Sequence, residues 1–243
     1  MVKLSLRVQG LTVGYERGVN VVEDVTITAE EGKITTIIGP NGAGKSTVLK
    51  ALCGILTPTS GEVFFDGKKI TNLSSRDVRL LGVTYIPQEE LIFPKLTVKE
   101  NLLIGGKILG ISDRLLYRKL DDVLDRFPNI RSKLRDRAGN LSGGEQKMLG
   151  LARSLILDAR LFLIDEPTAA LSPKLAKQMF DKILDLKEHG RTVLMVEQEA
   201  RAALSISDYT YVMVMGRISY EAPSNIALRE LENIVRSWLS VNH

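Results

Sequence analysis

Apolar and polar residues alternate at the start of the chain. Leu4, Leu6 and Val8 are spaced by Ser5 and Arg7, the period-two pattern of a half-buried strand. Val21 to Ile27 and Ile34 to Ile38 extend the β pattern, separated by short turns that carry glycine and acids. A glycine-rich turn then meets a helical pattern, Val48-Leu49-Ala51-Leu52, and strand patterns return at Gly61 to Phe65 and Leu81 to Ile86. From about residue 89 to 158 the spacing is helical. Leu115, Leu116, Leu120, Val123, Leu124 and Phe127 mark one helix, with Ser112 expected to cap it and Pro128 to stop it. A second helix is expected from Glu145 to about Leu157. Beyond it come a wholly apolar strand, Leu161 to Ile164, a helix from Pro173 to Glu188, and strands at Thr192 to Val196 and Tyr209 to Met215. The final helix carries Leu231, Ile234, Val235, Trp238 and Leu239 on one stripe, more naturally packed on its own domain than on a partner.

Strands that alternate with helices, some of them apolar throughout, predict an α/β fold: a mostly parallel sheet with helices on both faces. The helical block at 89–158 reads as a subdomain inserted into that core, which comprises 1–88 and 159–222, with a C-terminal helix at 223–243. No internal repeat or low-complexity stretch interrupts this order.

Composition narrows the function. The chain has 243 residues, 44% hydrophobic and 26% charged, as expected of a folded protein. Aromatics at 5% disfavour a stacking platform for single-stranded nucleic acid. Cys53 is the single cysteine and sits on an apolar helix face; it excludes an internal disulfide and reads as a core residue. A net charge of +4, from 33 basic and 29 acidic residues, does not argue for a nucleic-acid partner. No apolar run approaches the roughly 18 residues that span a bilayer, and the N-terminus reads as a strand rather than a signal peptide.

Three motifs carry chemistry. Gly39-Pro40-Asn41-Gly42-Ala43-Gly44-Lys45-Ser46 fits G-x-x-x-x-G-K-[ST], between an apolar strand and a helix. Its glycines let successive N–H groups converge on an oxygen, and the helix beginning near Lys45 aims its positive end there. Lys45 supplies a cation for outer phosphates, Ser46 a hard oxygen suited to Mg²⁺, and Thr47 support near the α-phosphate. The second motif, Asp165-Glu166, ends a buried strand, where ligands bind in open α/β sheets. Asp165 can hold Mg²⁺ and Glu166 can polarise water. The third, Leu141-Ser142-Gly143-Gly144-Glu145, reads as a capping box, but two consecutive glycines exceed what a cap needs and expose amides to an anion.

Gly39–Ser46, Gln88, Leu141–Glu145 and Asp165–Glu166, in this order, resemble the nucleotide-binding subunit of an ABC transporter over about residues 4–222. The resemblance implies a P-loop NTPase core with an N-terminal antiparallel β portion and a helical subdomain. It implies two ATPase subunits paired head to tail, each ATP lying between the phosphate loop of one and Ser142-Gly143-Gly144-Glu145 of the other. Tyr15 matches the aromatic that stacks on adenine, with Val22 nearby, and Gln88 the glutamine that senses Mg²⁺ and the attacking water. Membrane permease subunits would dock beside the Gln88 loop, a substrate-binding protein would take part indirectly, and the chain would sit at the cytoplasmic face of the membrane. Leu91-Ile92-Phe93 after Gln88 is either part of that docking surface or subdomain core.

The sequence also departs from the family pattern. Val196-Glu197-Gln198 puts glutamine where a switch histidine is usual, and His189 does not match that position. Gln198 can donate a hydrogen bond to a phosphate but cannot carry a proton, so Glu166 must be the base. Ser172 stands where aspartate is common, and Ser172-Pro173 also reads as a helix cap. The signature ends in Glu145 rather than glutamine. Val-Glu-Gln after a strand, with Leu-Ser-Gly-Gly-Glu-Gln-Lys-Met-Leu, resembles the branched-chain amino-acid importer branch, although Gln88 stands where that branch often has glutamate. Alternatives are a transporter of another small solute, a non-transport ATPase of DNA repair, chromosome structure or translation, and an inactive regulatory subunit. Only 52 residues separate Gln88 from Leu141, too few for the long coiled coil of the non-transport class, and intact Lys45, Asp165 and Glu166 speak against inactivity. Arg131, Lys133, Arg135 and Arg137 form a basic cluster, read as a solvated face or as a contact for acidic lipid or a partner.

Overall fold

The structure, a computed structural model, describes residues 3–16, 18–89 and 92–240. The chain runs β1 (Leu4–Val13), β2 (Val22–Glu30), β3 (Ile34–Ile38), α1 (Lys45–Leu52), β4 (Ser60–Phe65), β5 (Lys68–Lys69), α2 (Ser75–Leu80) and β6 (Val83–Ile86). A helical stretch follows: α3 (Val98–Ile108), α4 (Asp113–Arg126), α5 (Pro128–Arg131), a 3₁₀ turn at Ala138–Asn140 and α6 (Gly143–Ile156). Then come β7 (Leu161–Asp165), α7 (Pro173–Glu188), β8 (Thr192–Glu197), α8 (Ala200–Ile206), β9 (Tyr209–Val214), β10 (Arg217–Pro223), α9 (Ser224–Arg229) and α10 (Leu231–Ser240).

Two sheets organise these elements. The first is antiparallel, in the order β2-β1-β4-β5. The second, β10-β9-β3-β8-β7-β6, is parallel except for its edge strand β10. Strands β3 and β7 are buried at every position, which is why they read as unbroken apolar runs. One core lies between the antiparallel sheet, α1 and one face of the parallel sheet, through Val8, Ile27, Leu49, Ile37 and Leu163. A second covers the opposite face, where Phe162 and Met195 meet Leu102, Leu120, Leu149 and Phe180 from α3, α4, α6 and α7. The last helices pack on Ile38 and Val212, with Leu231 and Ile234 buried and Val235 and Trp238 against them. The C-terminal stripe therefore packs on its own domain; Leu239's side chain lies outside the described part.

Local expectations fail where elements are short. The strand expected at Leu81–Ile86 starts at Val83, because Leu81 ends helix α2 and Gly82 turns the chain at φ +98°. Pro128 does more than stop a helix. Phe127 is held out of the helical region, as a residue before proline should be, and the proline opens α5. Ser112 and Ser172 occupy N-cap positions without making the cap bond. Ile92 packs on the subdomain core while Phe93 is exposed; Leu91 lies outside the described residues. Three of the basic cluster are engaged within the chain: Arg131 pairs with Asp125, Lys133 with Glu145, and Arg137 donates to the Lys95 carbonyl.

Candidate functional site

The phosphate loop starts where buried β3, flanked by β8 and β9, runs out at Ile38. Gly39 passes so close to β9 that a Cβ there would lie 2.1 Å from the Met213 carbonyl oxygen. Gly44, at φ +99°, forms the N-cap of α1 and offers no side-chain cap, which leaves the first-turn amides without a side-chain acceptor. Between them Asn41 and Gly42 are exposed, and Ala43 closes the turn onto the Pro40 carbonyl. The Lys45 ammonium donates to the carbonyls of Gly39 (2.9 Å) and Pro40 (3.1 Å) and lies 3.7 Å from the Glu166 carboxylate. Burial holds its pKa below the ordinary lysine value, opposed by the charges of Glu166 and Asp165.

Strand β7 delivers the acids. The Ser46 hydroxyl donates to Asp165 Oδ1 at 2.8 Å, and the Tyr85 hydroxyl donates to Oδ2 at 2.9 Å. Glu166 stands at φ +42°, a strained left-handed position for a residue with a Cβ. That turn sends its carboxylate back towards Lys45 and to Gln88, whose Nε2 donates to Oε2 at 3.1 Å. Burial pushes the Glu166 carboxyl upward, partly offset by Lys45. Gln88 is thus brought to Glu166 and not to the Ser46–Asp165 pair.

Asn41, Gln88, Glu166, Glu197, Gln198 and Phe180 line one open cavity of about 870 Å³. Gln198 is exposed there, at the end of β8, whereas His189 closes α7 by bonding Asp185. Tyr15 is 57% exposed; its hydroxyl bonds Thr47 Oγ1 (3.3 Å) and accepts from Lys50 (3.2 Å). The Lys50 ammonium also lies over its ring, 5.3 Å from the centre. Val22 is fully buried under Gly44 and supports the loop from within the core rather than presenting a surface.

Three residues at the site are given no role by the sequence motifs, although Glu197 and Lys147 lie within them. Tyr85 reaches Asp165 because β6 pairs with β7. Glu197 is fully buried and accepts from Thr168 N and Oγ1, Gln198 N and Glu199 N, tying the loop after Glu166 to the loop of Gln198. Lys147 on α6 donates to the carbonyls of Glu166, Pro167 and Ala169. The one sequence signal was a charged residue ending an otherwise apolar strand, at Glu197.

The signature forms the expected capping box. Ser142 Oγ accepts from Glu145 N, and the Glu145 carboxylate accepts from Ser142 N at 3.0 Å. Lys133 holds Glu145 at 2.6 Å and, with the Ser142 amide, keeps its carboxyl below the ordinary range. Gly144 passes Leu175 on α7 so closely that a Cβ would meet it at 2.6 Å. Among the described residues, none of Ser142, Gly143, Gly144 or Glu145 hydrogen-bonds or ion-pairs with residues 39–47. The chain does not bring its own signature onto its own phosphate loop.

Known proteins share this arrangement. Residues 22–169 match the family described as ABC transporter. The chain is 41% identical over 221 residues to the probable branched-chain amino acid transport ATP-binding protein LivF of Archaeoglobus fulgidus, covering 90% of this chain and 92% of that protein. It is 38% identical over 204 residues to the high-affinity branched-chain amino acid transport ATP-binding protein BraG of Pseudomonas aeruginosa, covering 84% and 87%. It is 34% identical over 212 residues to a ribose import ATP-binding protein, RbsA 1, of Agrobacterium fabrum, covering 83% of this chain and 40% of that one. Among solved structures, the ADP conformation of an ATP-binding cassette of an ABC transporter superimposes with a TM-score of 0.86 at 30% identity, covering 97% of this chain and 98% of that one.

Proposed function

The chain belongs to the ATP-binding subunits of ABC transporters and hydrolyses ATP in support of transport, and from that premise we propose that it energises the import of branched-chain or related amino acids. The observation that carries the substrate class is the similarity to LivF over nine-tenths of the chain. The similarity to a ribose import protein favours a second reading, a sugar importer, over a smaller share of that relative. The transporter family itself sets aside the non-transport ATPases.

The geometry supports the following residue roles. Lys45 and the open amides of α1 bind the outer phosphates of ATP, with Asn41, Ala43 and Thr47 shaping the loop. Tyr15 offers its exposed ring to the adenine. Mg²⁺ fits Ser46 and Asp165, two hard oxygen donors hydrogen-bonded at 2.8 Å. Bound there, Mg²⁺ would neutralise phosphate charge. Glu166, desolvated and bonded to Gln88, accepts the proton of the attacking water, and Gln88 holds that carboxylate in place. Gln198 donates to the outer phosphate as a clamp without taking a proton.

A second ATPase chain would complete the site, because the Ser142–Glu145 turn makes no hydrogen bond or ion pair with its own phosphate loop among the described residues. The assembly sits at the cytoplasmic face of the membrane, held by permease subunits and served indirectly by a substrate-binding protein; no described helix is long and apolar enough to cross a bilayer. The test is uptake by the purified complex in proteoliposomes. ATP-dependent accumulation of labelled leucine, abolished by Lys45→Ala, is expected. Accumulation of labelled ribose with no amino-acid uptake would transfer the assignment to the sugar importers.

A further inference from the structure

The loop that follows β7 is bent twice against the preference of its residues. Glu166 stands at φ +42° and Ala170 at φ +59°, both left-handed and neither a glycine. Such backbone persists only where its neighbours over-determine it. Here the neighbours are two charged side chains of opposite sign. Glu197 Oε1 accepts from Thr168 N at 3.0 Å and from Thr168 Oγ1 at 2.6 Å. The Lys147 ammonium donates to the carbonyls of Glu166 and Pro167, each at 3.4 Å, and of Ala169 at 2.7 Å. One group thus grips the loop by its donors and the other by its acceptors. Glu197 is 1% exposed and forms no ion pair among the described residues. A buried charge held by N–H and O–H groups alone is a costly way to end an apolar strand, and a poor device for stability. Burial lowers the Lys147 pKa, opposed by the charges of Glu197 and Glu166. Each side chain reaches the loop from a different element. Glu197 ends β8, in register with Ile38 just before the phosphate loop, and Lys147 follows the Ser142–Glu145 box on α6.

We propose that Glu197 and Lys147 are positioning residues for hydrolysis, a clamp that holds the 166–170 loop in its strained form and so keeps the Glu166 carboxylate aimed at the attacking water. The proposal rests on the reading of Glu166 as the base. Hydrogen bonds to an ionised group are roughly twice as strong as neutral ones, which is what a strained loop needs from few contacts. Released, the loop relaxes at Glu166 and Ala170, and the carboxylate leaves Gln88 at 3.1 Å and Lys45 at 3.7 Å. Misplacement by about 1 Å is enough to cost on the order of a hundredfold in rate. Glu197 Oε2 also accepts from Gln198 N at 3.0 Å and Glu199 N at 3.4 Å, so one carboxylate sets the loops of Glu166 and Gln198 against each other. Among the described residues neither side chain hydrogen-bonds to residues 39–47, so the clamp bears on turnover and not on ATP affinity.

The test is ATP turnover by the assembled transporter in proteoliposomes, with ATP varied to separate kcat from KM. Lys147→Met keeps the length of the side chain and loses its donors. It should lower kcat roughly ten- to a hundredfold and leave KM for ATP within about twofold. Lys147→Arg restores charged donors and should recover most of the turnover. Glu197→Gln keeps the length but turns an amide donor towards N–H donors, and should slow kcat to the same extent; where it does not fold, the two Lys147 variants decide. The sharpest comparison is made with the base removed. In single turnovers, adding Lys147→Met to Glu166→Gln should cost no more than about a further twofold, because the clamp acts through Glu166. A further loss of about tenfold there would show damage that bypasses the base, and overturns the clamp. So does equal slowing by Lys147→Met and Lys147→Arg, or a raised KM with kcat unchanged. Wild-type turnover in Lys147→Met, with Glu166→Gln slow, overturns the clamp and leaves the base standing. Unchanged turnover in Glu166→Gln removes the base and the clamp together.

Discussion

Helix α1 begins after a glycine and α6 on two of them, and they finish their first turns in opposite ways. At α1 the N-cap is Gly44, with no side-chain cap and no acid in the first turn. At α6 the N-cap is Ser142, locked reciprocally with Glu145, which Lys133 holds from outside. The uncapped start forgoes only about a few tenths of a kcal/mol, the margin by which a Ser or Asp N-cap exceeds Gly. That loss is explicable where an anion is to meet the amides, and Lys45, Ser46 and Asp165 converge at this end. The capped start is complete within its own chain: Gly143 is exposed, and Gly144 is buried against Leu175 of α7. Similar-looking motifs thus differ in kind: one meets an assembled set of side chains, and the other is closed by its own cap.

The largest expected effect tests whether the assembled half does the chemistry. Glu166→Gln should lower steady-state hydrolysis by on the order of 10²–10⁴ while ATP binding persists and a closed pair accumulates, seen by nucleotide titration and size-exclusion chromatography. Unchanged turnover would remove Glu166 as the base. Next comes the clamp. Gln198→Ala removes one hydrogen bond to a charged group and should slow hydrolysis roughly tenfold or more, and Gln198→His should keep most of it. Equal turnover in wild type and the alanine variant would sink the role. On the interface side, Ser142→Ala should cost about 1 kcal/mol as a lost cap, a shift of roughly 2–4 °C in melting temperature. Hydrolysis should fall while the isolated chain binds nucleotide as before. If monomeric nucleotide binding fell with it, the signature would belong to its own chain's site.

What the sequence made legible was local. Strands β3 and β7 read from their apolar runs, the phosphate loop and the Ser142–Glu145 box from spacing, and the packing of α10 from its stripe. What stayed hidden depended on neighbours far along the chain. Tyr85 meets Asp165 only because β6 lies beside β7 at the sheet edge. Glu197 gains the two Thr168 donors only because β8 lies beside β7, whose following loop carries Thr168. Helix α2 has six residues with only Val78 buried, and β10 is a mostly exposed edge strand, so neither shows enough periodicity to be read. Val22 was expected near the nucleotide and is instead core beneath the loop.

The smallest effect separates the two helix starts by pH. The Glu145 carboxyl lies below its ordinary value near 4.5, first because of Lys133 and then because of the Ser142 amide. A lowered pKa in the fold means that the ionised form stabilises it. That stability is fully present above the ordinary value and is lost as pH falls through the lowered one. Glu145→Gln keeps an acceptor for the Ser142 amide but gives up the ion pair with Lys133. The pair is partly exposed, so it should be worth no more than about 1 kcal/mol, and less in high salt. Wild type should therefore melt roughly 1–3 °C above the variant at neutral pH, and the gap should close as pH falls below the ordinary carboxylate range and through the lowered Glu145 value. A gap that survives acid and high salt would show that packing, not charge, holds the α6 start. The α1 start has no acid in its first turn and offers no such window. Gly44→Ala there should destabilise to the same degree at either pH, because its cost is the left-handed backbone at φ +99° and a Cβ pressed to 3.0 Å from Met213.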